Sequence, residues 1–484
     1  MLLKVDASAI ISKSSRFDLG IKYNYAKSLL NLGYVPTVYV QDYLEHINSF
    51  NSFYEEEPIK RSPDDFIKSF DSLIENLKEN GYQESEDKIF ITAKGELLNG
   101  AHRVSTLAAL SREVNVHEVA EDADLYDFEY FQNKNLPENA SDRGIIGALE
   151  IKSDTRLLIV YPVVPNQFES EIEFQISKRG TLFFKKWIPA NFNLITNIKM
   201  INYYIHGDEK HLDWVGNSSD KFSGIRRHAE KSMGSGRIRF YLIKNISVED
   251  FLHLKTDLRE AFGVENFSLH GTDSFEETQD VIHAVCHPES LRCAKKNLTS
   301  SSFSLAGWLK EMTYALSADT RVKTMFCIGG SGPLGAFGGR QISDLDLLSE
   351  MPLEEFRQNS FVSFHDVRSV PYSSSVMEFL IDPEKHFYFL GFKFISVNEL
   401  KKMKLNRKET KDIYDLHLLE EIIDSKTFWN GLLSWSANRL TTLVYWRVRH
   451  RFNKTMTSTK FLLLRHRRLA KLLKKSRALL TFRL

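Results

Sequence analysis

Two carboxylates one residue apart, Asp344 and Asp346, follow a glycine-rich stretch that begins Gly329-Gly330-Ser331. These residue types, in this order, suit metal-assisted transfer of a phosphorus-containing group. Residues two apart on a strand point to the same side, so Asp344 and Asp346 share a face while Leu345, Leu347 and Leu348 anchor the strand. Two carboxylates on one face can hold Mg2+, which binds few carboxylates together with substrate phosphates. A metal held there would neutralise charge on a phosphoryl group under attack. Glycines after a buried strand let backbone N–H groups approach a phosphate closely, and Ser331 adds a hydroxyl donor.

The pattern resembles the nucleotidyltransferase superfamily motif: an apolar residue, Gly, Gly or Ser, a short spacer, then Asp-x-Asp. Ile328, Gly329 and Gly330 match its first half, and Asp344 and Asp346 its second. The resemblance implies that the glycine turn holds nucleotide phosphate and the aspartates bind the metal. It also implies a third carboxylate from a later strand, for which Asp366 is the candidate and Glu378 the alternative. Downstream, 382–396 with Lys404, Arg407, Lys411, Asp412 and Asp415 looks like the second half of nucleotidyltransferase-fold proteins of bacterial capsule and lipopolysaccharide pathways. By that resemblance, Lys404, Arg407 and Lys411 contact phosphates or close on Asp412 and Asp415. Three other readings remain. Gly330, Gly332 and Gly335 fit a dinucleotide fingerprint, but Pro333 and the pair Gly338-Gly339 suit its helix poorly. Asp-x-Asp also holds metal and sugar nucleotide in many glycosyltransferases. A nucleotide-sensing scaffold without catalysis is the third.

A second constellation lies near the N-terminus, at Asn99, Gly100, His102 and Arg103. A helix start preceded by glycine is a natural anion site. Arg103 could grip phosphate through two bonds, and His102 could give or take a proton. The segment resembles the ParB/sulfiredoxin-like fold, in which a Gly-x-His-Arg element binds nucleotide phosphate. Members include nucleotide hydrolases, a sulfinic acid reductase and a small-molecule kinase, so the fold does not choose the reaction. Ala101 stands where sulfiredoxins carry cysteine, which speaks against that activity. Asp18 and Lys22 are candidates to join this site. In the middle of the chain, His206 and His211 could suggest a metal, although scattered loop histidines are more often structural.

The elements that position these residues follow from patterning. In 1–140, helices are expected at 63–80 and 103–110, strands at 88–92 and 96–99, and a polar linker at 133–143. In 145–300, strands are expected at 156–164 and 237–243, a hairpin from 171–176 and 181–187, and a helix at 248–262. Alternating strands and helices there suggest an α/β unit. In 301–424, helix 304–316 precedes strand 323–328, the glycine loop and strand 344–348. A hairpin at 386–395 and helices at 398–404 and 411–423 follow.

The 484 residues carry a net charge of +1, which hides an asymmetry. Residues 425–484 hold 15 Lys and Arg and no Asp or Glu, leaving −14 on 1–424. Within that tail, Leu462, Leu469, Leu473 and Leu480 share one side of a helical wheel and Arg467, Arg468, Lys471, Lys474 and Lys475 the other. Trp435, Tyr445 and Trp446 precede them. A basic helix with an apolar stripe suits an anionic membrane surface, and the leucines favour lipid over nucleic acid. The first residues do not read as a secretory signal, and no apolar run is long enough to span a bilayer. Cys286, Cys293 and Cys327 show neither metal-like spacing nor a disulfide framework, which points to a reducing compartment.

The expectation is therefore an α/β (α+β) multidomain chain. It has a ParB/sulfiredoxin-like domain (1–140), a middle α/β domain (145–300), a nucleotidyltransferase-like domain (301–424) and a membrane-binding amphipathic tail (425–484). The expected activity is Mg2+-dependent nucleotidyl or phosphoryl transfer from ATP or a CTP/CDP-linked donor to a sugar, polyol or lipid-linked glycan. The expected setting is surface-polysaccharide assembly, on the cytoplasmic side of the inner membrane.

Overall fold

The structure is a computed structural model that describes residues 2–424 apart from 57–58, 84–87, 121–125, 152, 208–212, 265, 317–319, 352, 357–358 and 365–371. Asp366, His211 and the whole 425–484 tail lie outside the described residues. The chain divides into two compact units, Met1–Leu419 and Glu420–Leu484. Eighteen α-helices and three small sheets are described, a mixed α/β architecture in which each sheet uses one stretch of sequence.

The first stretch contains β1 (Leu2–Asp6), α1 (Ala7–Lys13), α2 (Asp18–Leu32), α3 (Thr37–Asn51), α4 (Pro63–Asn80), β2 (Ile89–Thr92), α5 (Ala101–Ala109), β3 (Glu113–Val119), α6 (Phe128–Asn133) and α7 (Glu138–Ala148). Its sheet has the order β1-β3-β2, with β1 antiparallel and β2 parallel to β3. Helix α4 begins where its sequence says it should. The Ser62 side chain accepts from Asp65 N–H, Pro63 opens the first turn, and Asp64 and Asp65 complement the helix dipole. Phe66, Phe70, Ile74 and Leu77 recur at helical spacing and are buried. The expected strand 96–99 reduces to one bridge, Ile91 to Leu97.

The stretch 133–143 is not a linker, since most of it belongs to α7. Two of its polar residues, Asp142 and Arg143, are held in ion pairs, while Asn133, Lys134, Asn135, Glu138 and Asn139 stay exposed. Lys186 Nζ donates to both oxygens of Asp142, at 3.0 and 2.8 Å, and Arg143 grips Asp42 through two bonds of 2.6 Å. Helix α7 crosses α2 so closely that a Cβ on Gly20 would overlap the Gly144 carbonyl. Composition alone cannot distinguish such a segment from a loop.

The second stretch contains β4 (Arg156–Val160), α8 (Glu169–Ser177), β5 (Thr181–Ile188), α9 (Phe192–Lys199), α10 (Ser223–Ser232), β6 (Ile238–Lys244), α11 (Val248–Phe262), β7 (Leu269–Gly271), α12 (Phe275–Cys286) and α13 (Pro288–Ala294). A π-helical turn, Met200–Ile205, continues α9. The sheet order is β5-β6-β4-β7 and every pairing is antiparallel, so strand–helix alternation gives no parallel crossover here. The expected strand 171–176 is helix α8. Ile172 and Ile176, one helical turn apart, are both wholly buried, and Glu169 and Glu171 sit in its first turn.

The third stretch contains α14 (Ser300–Ala315), β8 (Phe326–Ile328), α15 (Gly332–Ala336), β9 (Leu345–Ser349), β10 (Val362–Phe364), α16 (Val376–Ile381), β11 (His386–Phe389), β12 (Phe392–Ile395), α17 (Val397–Arg407) and α18 (Asp412–Ile423). Its sheet order is β10-β9-β8-β12-β11. Residues expected to open β8 form a 3-10 turn instead, Thr320–Thr324.

Buried cations join these stretches. Lys244 Nζ on β6 donates to the carbonyls of Ile11 and Ser14, at 3.1 and 2.8 Å. Lys310 Nζ on α14 closes the π-helical turn by donating to Ile205 and Gly207 carbonyls, at 3.1 and 2.9 Å. Lys323 and His206 both meet Asp280 Oδ2, at 2.7 and 2.8 Å.

Where α12 and α13 meet β11, three histidines pack around Tyr388. His283 stacks on its ring at 3.9 Å, His386 meets it edge-on at 5.3 Å, and His287 stacks on His386 at 5.4 Å. Burial pushes His283 down to about 3 and His287 to about 4. Both stay neutral in the folded chain but gain a proton on unfolding once the pH drops below about 6.5. Their contribution is thus complete above that pH and declines as pH falls toward the folded values. Each such histidine should steepen the loss by about 1.4 kcal/mol per pH unit. Urea unfolding between pH 7.5 and 5 should show stability falling below pH 6.5. His283→Phe, which keeps the stacked ring, should flatten the slope by one histidine's worth; equal slopes would remove His283 from this account.

Candidate functional site

Strand β8 is wholly buried and ends at Ile328, just before Gly329. It pairs antiparallel with β9, matching Phe326 to Ser349, Cys327 to Leu348 and Ile328 to Leu347. Gly329 N–H then donates to the Asp346 carbonyl at 2.8 Å, which sets the glycine turn beside the second aspartate. Gly330 adopts φ +54°, and a Cβ there would overlap the Asp346 carboxylate. Both the left-handed backbone and the contact require glycine. Gly332 N–H donates to the Gly329 carbonyl at 3.0 Å and closes the turn. Ser331 stands at the start of α15 without a capping bond from its side chain.

Asp344, just before β9, and Asp346, within it, are half-buried, while Leu345, Leu347 and Leu348 between and beyond them are buried. The neighbouring strand β10 runs parallel and places Ser363 beside Asp346 in register. Ser363 Oγ lies 3.5 Å from Asp344 Oδ2, and Ser343 Oγ donates to Asp344 Oδ1 at 2.9 Å. Ser363 was not foreseen, nor was Tyr372, whose hydroxyl accepts the Gly330 N–H at 2.9 Å. Its ring meets Phe379 edge-on at 5.5 Å. Burial and the nearby Asp346 carboxylate hold its phenol protonated, well above the ordinary tyrosine range.

Two carboxylates and serine hydroxyls are hard oxygen donors of the kind Mg2+ accepts. Among the described residues no group of three His, Cys, Asp or Glu gathers in a metal-like cluster. The alternative third carboxylate, Glu378, is engaged elsewhere. It forms a capping box with Ser375, pairs with Lys385 and accepts from the Tyr34 hydroxyl at 2.9 Å.

Lys404 and Arg407 close on the acidic pair. Lys404 Nζ, almost wholly buried, meets Asp412 at 3.2 Å and Asp415 at 2.7 Å. Arg407 holds Asp412 through Nε and Nη2, at 3.0 and 2.6 Å. Arg340, at the end of the glycine-rich segment, holds Asp415 through Nε and Nη2, at 2.6 and 3.1 Å. Asp415 therefore ties the loop before β9 to α17 and α18. These contacts hold Asp412 down to about 2 and lower Asp415 as well. Lys411 is exposed and pairs with Glu409 at 3.0 Å.

The N-terminal constellation is more buried than its sequence suggests. Asn99 bridges the start of β2: its Oδ1 accepts from Phe90 N–H at 2.8 Å and its Nδ2 donates to the Lys88 carbonyl at 3.0 Å. Gly100 is the left-handed residue before α5, with the Arg103 guanidinium packed against it. His102 Nε2 bonds the Tyr43 hydroxyl at 3.1 Å, and its ring meets Phe70 at 4.6 Å. Burial and the Lys22 ammonium hold His102 well below the ordinary histidine range, so it is neutral at pH 7. Asp18 and Lys22 do pair, and Arg16 adds two bonds to Asp18, at 3.0 and 2.9 Å. His46 Nε2 lies 3.7 Å from the same carboxylate. Arg16-x-Asp18 with Lys22 four residues on was the available signal; nothing in spacing marked Tyr43 or His46.

His206 is bonded to Asp280, as above, and the three cysteines are buried and free. No family model, curated protein or solved structure matches the chain.

The Lys404 network makes a stability prediction. Lys404→Ala leaves two buried carboxylates short of a cation and should cost about 3–5 kcal/mol in urea unfolding. Lys411→Ala should leave the midpoint unchanged. Similar midpoints for the two variants would contradict the network's role.

Proposed function

We propose that this chain is a Mg2+-dependent transferase of a nucleotidyl or phosphoryl group, with Gly329, Gly330, Ser331, Asp344 and Asp346 as its site. The observation that carries the reading is the β8–β9 register, which lays the Asp346 carboxylate against Gly330. A phosphate at the glycine turn and a cation on the aspartates would be immediate neighbours.

In this reading the donor is ATP or a CTP/CDP-linked nucleotide. Ser331 offers it a hydroxyl free of capping duty. Asp344 and Asp346 would hold the Mg2+, with Asp366 as the candidate third ligand. A bound ion would neutralise charge on the group being transferred. An acceptor hydroxyl of a sugar, polyol or lipid-linked glycan would give up its proton to water and form the new P–O bond as the P–O bond to the leaving group breaks, pyrophosphate in nucleotidyl transfer or the nucleoside diphosphate in phosphoryl transfer. Lys404 and Arg407 contribute by fixing α17 and α18 to the glycine-rich segment through Asp412, Asp415 and Arg340. The N-terminal site, with neutral His102 and Arg103, would bind a second nucleotide. The biological setting in this proposal is bacterial surface-polysaccharide assembly, with residues 425–484 resting on the inner membrane's cytoplasmic face. Among the described residues no helix is long and apolar enough to cross a membrane.

Asp344→Asn and Asp346→Asn remove charge with little change of shape. Each should lower Mg2+-dependent transfer at least about 100-fold while leaving the melting temperature nearly unchanged. Activity is read as pyrophosphate or phosphodiester formation; unchanged turnover would refute the proposal, and sugar release alone would indicate glycosyl transfer. For the tail, a chain ending at residue 424 should no longer cosediment with anionic lipid vesicles at low salt. Continued sedimentation would remove the tail from the membrane account.

A further inference from the structure

The Gly330 amide already has an acceptor. Tyr372 places its hydroxyl oxygen 2.9 Å from Gly330 N, and a Cβ on Gly329 would come within 2.6 Å of the same oxygen. The phenol thus fills the hollow of the glycine turn, where the proposed donor would have to place a phosphate oxygen. We infer that the Tyr372 hydroxyl stands in for a donor phosphate oxygen at the Gly330 amide and is exchanged for it when Mg2+ and nucleotide bind together. This rests on the transferase reading above.

Electrostatics gives the exchange its order. The Asp346 carboxylate lies against Gly330. A phosphate arriving alone would meet that negative charge, whereas a neutral phenol does not. Tyr372 therefore satisfies the amide before a donor arrives, avoiding the cost of a partly buried, unpaired N–H. A cation on Asp344 and Asp346 reverses the preference, because the anionic oxygen then becomes the better acceptor. Tyr372 is half-buried and held by an edge contact with Phe379, so its displacement breaks no ion pair described for it. It is a positioning residue that couples metal loading to donor binding.

The test turns on the sign of an affinity change. Titration calorimetry with ATP, CTP or inorganic pyrophosphate, each with Mg2+, compares wild-type full-length chain with Tyr372→Phe. Losing the competing hydroxyl should tighten binding about three- to tenfold. It should also lower the melting temperature of the ligand-free chain and enlarge the stabilisation that ligand confers. A merely structural tyrosine would give unchanged or weaker binding, which would overturn the inference. Tyr372→Leu, which also lacks the hydroxyl, should tighten binding in the same direction; weakening in both variants counts against exchange. Asp346→Asn separates the two levels of the argument. If that variant abolishes Mg2+-dependent binding while Tyr372→Phe fails to tighten it, only the exchange is lost. If wild type binds none of the three probes, the exchange and the transferase reading both fall.

Discussion

The hydrogen bond from Gly329 N–H to the Asp346 carbonyl fixes the geometry on which the candidate site depends. It extends the β8–β9 pairing by one residue past the end of β8 and so brings a turn and a strand into side-by-side contact. The rest of the third sheet supports that junction. β12 runs parallel to β8 on one side and β10 parallel to β9 on the other. Arg340 then pins the segment leading into β9 by its two bonds to Asp415. A register slip of one residue would turn Asp344 and Asp346 to the opposite face, so the sheet order is part of the site.

Charge burial is the other organising theme. Much of it is compensated by backbone carbonyls rather than by carboxylates. Arg239, wholly enclosed, donates to the carbonyls of Val164 and Pro165, at 2.7 and 3.3 Å, as Lys244 and Lys310 do to theirs. Such bonds gather chain ends and turns, whose carbonyls lack partners within secondary structure. Lys199 is an exception: among the described residues its side-chain nitrogen has no hydrogen-bond partner, and it sits 3.7 Å over the Tyr161 ring. Burial lowers its pKa well below the ordinary lysine value, which reduces the cost of enclosing it.

Elements with local signals were legible in the sequence. Helix α4 carried its own cap and stripe, and the β11–β12 hairpin carried its Leu390-Gly391 turn. Where tertiary contact decides, the reading failed. Helix α8 is short, and its two isoleucines give too little periodicity to outweigh the nearby turn residues. Helix α7 looked like a linker because its polar residues answer to partners distant in sequence, Asp42 and Lys186. The candidate site divides the same way. Its glycines and aspartates announce themselves by type and spacing. Tyr372, Ser363 and Arg340 enter only through folding, since ordinary residues acquire their roles from strand pairing and packing.

Lys244 has one more consequence. Its ammonium lies under the Phe183 ring, 3.7 Å away, and burial pushes it down to about 7. Burial thus brings the amine form within easier reach than for a surface lysine. An amine still has two N–H donors, and the two carbonyls it serves, Ile11 and Ser14, require no more than two. The link between the first sheet's α1 and the second sheet's β6 therefore does not need a net charge. Titration should not break it and added salt should not screen it. With or without its third proton, Nζ can serve both carbonyls, which makes this a proton-indifferent joint.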